Sequence, residues 1–68
     1  MTDNELREKL TYLINKYIPE SDRESFYNLI SREDVPVKGI LADFNKLEKN
    51  TVEELDGDLI SDIYFHFC

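Results

Sequence analysis

The sequence contains one cysteine, at its last position, so no intrachain disulfide can form and a disulfide-stapled scaffold is excluded. A reducing cytoplasm is the expected setting. The opening MTDNELREKL carries acids where a signal peptide needs bases and has no apolar h-region. No apolar run approaches the ~20 residues of a membrane span, and Cys68 lacks the three following residues of a prenylation box. Neither targeting nor membrane association is expected.

Metal-binding residues are just as scarce. His66 and Cys68 supply two of the four ligands of a structural zinc site, and the chain has no other His or Cys. Asp56, Gly57, Asp58 and Asp62 resemble a calcium loop only in part, because Ile60 stands where the fifth-position oxygen belongs. No GxGxxG, P-loop or HExxH pattern occurs. A reactive cysteine needs a histidine held beside it, and terminal residues are poorly fixed. A chain of about 60 residues also buries only about 60% of its unfolded surface, which leaves little stability for a deep catalytic cleft. These absences predict no enzyme, no metal and no cofactor.

Bases are the third shortage. Eight stand against fifteen acids, for a net charge of −7. A protein that neutralises phosphates needs the opposite balance, so direct nucleic-acid binding is disfavoured. A helix-turn-helix over residues 22–31 and 37–49 has suitable lengths, but its second helix sets Asp43 and Glu48 among Lys38, Asn45 and Lys46.

What is present is apolar and periodic. With two glycines and two prolines in 68 residues, 41% apolar, the chain reads as one packed domain spanning residues 1–68. Thr2 and Glu5 form a capping box, and Leu6, Leu10, Leu13, Ile14 and Tyr17 come after it at helical spacing until Pro19. Ser21 and Glu24 suggest a second box, opening a short helix with Phe26, Leu29 and Ile30 inward. Pro36 suits the first turn of a third, capped near Asp34 or Val35, with Ile40, Leu41, Phe44 and Leu47 inward. Gly39 weakens that helix and suggests a close backbone contact.

After Thr51 and Glu54, a third box, the stripe Val52, Leu55, Leu59, Ile63 and Phe67 points to a final helix. Asp56 falls among those apolar positions and Asp56-Gly57 is a turn pair, so a break is expected there, with Asp56 capping the last helix. Alternation of Ile63, Phe65 and Phe67 with Tyr64, His66 and Cys68 would also suit a strand, but a lone strand has no partner. The expected fold is all-α, three to four short helices around Leu6, Leu10, Leu13, Phe26, Leu29, Ile30, Ile40, Leu41, Phe44, Leu47, Leu59, Ile63 and Phe67.

The acidity is uneven. Residues 51–68 hold five acids and no Lys or Arg, whereas residues 1–17 hold three of each sign. On a continuous helix Glu54, Asp58, Asp62 and Phe65 fall within about 80° of one another, with Tyr64 at the edge. Like charges at i,i+4 oppose helix formation, and an acidic stripe around a large ring is what docking onto a basic, partly apolar surface requires. The expected function is a small acidic protein-binding module that inhibits or neutralises a basic protein through Glu54, Asp58, Asp62, Tyr64 and Phe65. By analogy of size and charge, it would act as an immunity protein does against a toxin, or a phage-encoded inhibitor against a nucleic-acid enzyme. The alternatives are a structural or assembly role as a homodimer, built on exposed aromatics, and a helix-turn-helix regulator.

Overall fold

The computed structural model describes residues 2–67. They form four helices and, among the described residues, no strand: α1 (Asp3–Tyr17), α2 (Glu20–Ile30), α3 (Val37–Leu47) and α4 (Glu54–Phe67). The all-α expectation holds. Cys68 lies outside the described residues.

Helix α1 begins as its capping residue dictates, with the Thr2 hydroxyl accepting the Glu5 amide at 3.2 Å. It ends where Ile18 turns extended ahead of Pro19, whose ring disfavours the helical conformation at the preceding residue. The tight link brings α2 back against α1. Side chains tie the two at both ends. Arg23 donates to the Ile18 carbonyl at 2.8 Å, and Arg7 reaches from α1 to the carbonyls of Ile30 and Arg32, both at 3.1 Å. The Arg7 cation thereby meets carbonyl oxygens at the negative end of α2.

Helix α4 packs against both α1 and α3. Between α3 and α4 the chain is anchored to α1 by the Lys49 amide, which donates to the Tyr17 carbonyl at 2.9 Å. The core gathers Leu6, Leu10, Leu13, Ile14, Tyr17 and Ile18 of the α1 segment with Phe26, Ile30, Val37, Ile40, Leu41, Phe44 and Ile63. Tyr17 meets Phe44 edge to face, ring centres 5.8 Å apart, an arrangement that suits the ring quadrupoles.

Several local expectations are corrected. Ser21 lies inside α2, which starts at Glu20 after Pro19 and has no side-chain cap. Pro36 occupies the capping position of α3 rather than its first helical residue, again without a side-chain cap. Thr51 lies three residues ahead of α4. The break at Gly57 does not occur, since α4 runs through it to Phe67. Leu47 is 38% exposed because α3 ends there, after the inward row Val37, Ile40, Leu41, Phe44. Leu29, Leu59 and Phe67 are only partly buried at the core's edge. Gly39 makes no close contact: a Cβ there would meet nothing within 4 Å.

That last point makes Gly39→Ala a stabilising change. It removes backbone freedom from the unfolded chain at no steric cost and should raise stability by about 0.5–1 kcal/mol. In a domain of this size, 1 kcal/mol corresponds to a Tm rise of about 4–8 °C, readable by thermal circular dichroism. Ile63→Ala should act oppositely. Its side chain has no exposed surface, so truncation should cost about 2–5 kcal/mol in a urea titration.

Candidate protein-docking surface

The orientation of α4 is set by Asp56. Stepping about 100° per residue, Asp56 falls in line with Leu59, Ile60, Ile63 and Phe67, the helix's inward row. Its side chain is therefore carried into the body of the protein, where the residue is only 5% exposed. A carboxylate is tolerated there because every direction it faces supplies a donor. Tyr17 donates its hydroxyl to one carboxylate oxygen at 2.5 Å and Lys16 its ammonium to the same oxygen at 2.8 Å. The other oxygen accepts from Tyr12 at 3.0 Å. Lys16 further donates to the Tyr12 oxygen and to Glu53, each at 3.1 Å, and the Glu53 amide donates to the Tyr17 oxygen at 3.0 Å. Tyr12 and Lys16 share one face of α1 and Tyr17 lies about 100° further round, at the core, so that the three donors reach the start of α4 from two sides.

The titration behaviour is a consequence of these bonds. Lys16 and then Tyr17 hold the Asp56 carboxyl below its ordinary range by bonding to its charged form. Asp56, with Tyr12 and Glu53 behind it, pushes the Lys16 ammonium well above its ordinary value. Burial, and after it the bond to Asp56, raises the Tyr17 phenol.

With Asp56 inward, the opposite side of α4 faces solvent. Glu54, Asp58 and Asp62 are all exposed, and Phe65 is 85% exposed. Because α4 does not break, Glu54 stays aligned with the other three. Tyr64 is 47% exposed and lies about 100° from Phe65, at the edge of this face. Phe65 packs on the exposed His66 edge to face, ring centres 5.6 Å apart. The structure also adds Leu55, which belongs to the apolar stripe of the sequence but not to its expected core. It is 81% exposed, displaced from the inward row because Asp56 occupies that row instead. Leu55 and Phe65 stand about 15 Å apart along the axis at 1.5 Å per residue, with Asp58 and Asp62 between them.

No ion pair among the described residues involves Glu54, Asp58 or Asp62; both that form belong to Lys16, with Glu53 and Asp56. Nor, among the described residues, does any group of three or more His, Cys, Asp or Glu assemble to hold a metal ion. No described helix is long and apolar enough to cross a membrane. The face therefore presents two large apolar side chains among carboxylates that no ion pair among the described residues neutralises. No family model, curated protein or solved structure matches this chain.

The Asp56 cluster gives the fold a defined pH dependence. Asp56 has a lowered folded pKa, so its contribution is present above the unfolded value, about 4, and lost as pH falls through the folded one. Lys16 and Tyr17 have raised values, so theirs are present below about 10 and lost on further alkalinisation. Lys16→Met, which keeps the stem and removes the charge, should lower Tm by several degrees at neutral pH. The difference from the parent should close in acid, once Asp56 is protonated in both. A gap of constant size from neutral to acid pH would contradict this assignment.

Proposed function

We propose that the protein is a small acidic binding module that docks through the outer face of α4 onto a basic, partly apolar protein surface and thereby inhibits or neutralises that protein. The observation that carries this reading is the exposure of Leu55 and Phe65 among Glu54, Asp58 and Asp62, none of which is paired within the described chain. Scattered exposed apolar residues are ordinary. Two on one helix face, bracketing acids that mutually oppose the helix, are better explained by a partner that supplies the missing charge and covers both apolar side chains. The fitting partner offers lysines or arginines around an apolar recess, the chemistry of a nucleic-acid-binding groove, which an acidic helix would occupy in competition with the nucleic acid. Such an inhibitor belongs in the reducing cytoplasm.

A helix-turn-helix role has less support. Residues 31–36 separate α2 from α3, longer than the three to four residues usual for that turn.

The test is kinetic. The tagged protein is used at low salt to isolate its partner, and binding is then monitored by surface plasmon resonance. Asp58→Lys with Asp62→Lys should slow association and flatten its salt dependence, since rim charges act chiefly on the encounter. Phe65→Ala should raise the dissociation rate about thirtyfold, as expected of a buried aromatic anchor worth about 2 kcal/mol. Unchanged kinetics in both variants would remove α4 as the site. Light scattering on the protein alone would instead favour the homodimer if mass rose with concentration and further with salt, which screens the repulsion between copies.

A further inference from the structure

The four helices are not held equally. Among the described residues, the buried apolar side chains come from α1 with Ile18, from α2 and from α3, and Ile63 is the one that α4 supplies. Its other inward apolar residues, Leu59, Ile60 and Phe67, are only partly buried. The α1–α2 pair, by contrast, is tied at both ends through Arg7 and Arg23, and Lys49, just past α3, is bonded to the Tyr17 carbonyl. What fastens α4 besides Ile63 is the polar cluster at its start, where Asp56 accepts from Tyr12, Lys16 and Tyr17 and the Glu53 amide donates to Tyr17. The side chains of Lys16 and Glu53 in that cluster are 33% and 68% exposed, so water reaches it without entering the core.

Left to itself, α4 is a poor helix. Isolated helices shorter than ~12–15 residues are marginal in water, and this one, of 14, has Gly57 in its interior and like charges at i,i+4 along its outer face. Once undocked it would therefore unravel. We propose that α4 is an arm latched by Asp56: it opens as a unit, hinged between Lys49 and Glu53, while α1, α2 and α3 remain packed, and the Asp56 cluster sets how often it does so. Opening bares the row Leu59, Ile60, Ile63 and Phe67 and dissolves the alignment of Glu54, Asp58, Asp62 and Phe65. The latch thus decides which of two surfaces the chain presents. The arm is a property of this chain alone and does not rest on the docking reading.

Amide hydrogen exchange of the full chain, followed by NMR at a pH where exchange reports the opening equilibrium, tests the arm. The slowest amides of α4 should exchange at least about tenfold faster than the slowest of α1. Gly39→Ala strengthens α3 in the closed and open states alike, so it should slow α1 exchange by about two- to fivefold and leave α4 exchange unaltered. Tyr17→Phe keeps the ring against Phe44 but removes one bond of the latch, and should speed α4 exchange at least about tenfold. Lys16→Met repeats that comparison should Tyr17→Phe fail to fold. Equal protection of α1 and α4, or an equal response of both to Gly39→Ala, would overturn the separate opening. Unchanged α4 exchange in the latch variant would overturn the role of Asp56. Binding to a partner plays no part in the readout, so failure of the outer face of α4 in the partner kinetics leaves this result untouched.

Discussion

The buried carboxylate of Asp56 is the constraint on which the rest of the arrangement depends. Taking a charge out of water costs several kcal/mol, and the cost is offset only when its lone pairs are met by well-placed donors. Here two tyrosine hydroxyls and an ammonium meet it, all from one stretch of α1. A leucine at this position would be the simpler way to fill a core, and replacing buried ion pairs by apolar groups often preserves or improves stability. What an apolar residue would not supply is a directional bond. Asp56 satisfies its oxygens in one rotational setting of α4, the one in which Leu59, Ile60, Ile63 and Phe67 also meet the core. The polar cluster thus adds a directional constraint to the apolar one.

The consequence reaches the opposite side of α4. Fixing Asp56 inward turns Leu55 and Phe65 outward and ranks Glu54, Asp58 and Asp62 between and beside them. Glu54 with Asp58, and Asp58 with Asp62, each weaken the helix by a few tenths of a kcal/mol. Glu54 offsets part of this by lying in the first turn, where negative charge favours the helix dipole, but Asp62 lies too far along to share that benefit. The core side of α4 thereby stabilises a helix whose outer face opposes it. The outer face is thus free to be shaped by demands other than folding.

How much of this could be read from the chain divides along the range of the interactions involved. Helix α1 was legible because its cap and its apolar row are local: Thr2 acts three residues ahead of Glu5, and Leu6, Leu10, Leu13 and Ile14 succeed it at helical spacing. The acidic face was legible for the same reason, since it needs only helical geometry. The continuity of α4 was not. Asp56-Gly57 carries a local turn preference, and the groups that override it lie 39 to 44 residues earlier in Tyr12, Lys16 and Tyr17. The warning was already visible in the placement of Asp56 on the apolar row. A charge there means either that the helix stops or that a partner waits inside, and the sequence offers no way to locate the partner. Val37 is a different case. It begins the row Val37, Ile40, Leu41, Phe44 at helical spacing, directly after Pro36, and was absent from the expected core.

The location of charge matters more here than its total. The protein measures 27 × 25 × 17 Å, so its dimensions are about two to three times the ~8 Å over which physiological salt screens a charge. At ~0.01 M salt the screening length grows to ~30 Å, and all fifteen acids act on an approaching molecule as one field. Under physiological conditions only those within a patch act together. The α1 side has its own cations, and Lys16 pairs with both Glu53 and Asp56 beside it. The outer face of α4 has no such compensation among the described residues. Attraction by net charge alone would weaken evenly with salt, whereas recognition by a patch retains the part of its energy that comes from covering Leu55 and Phe65, which salt does not screen.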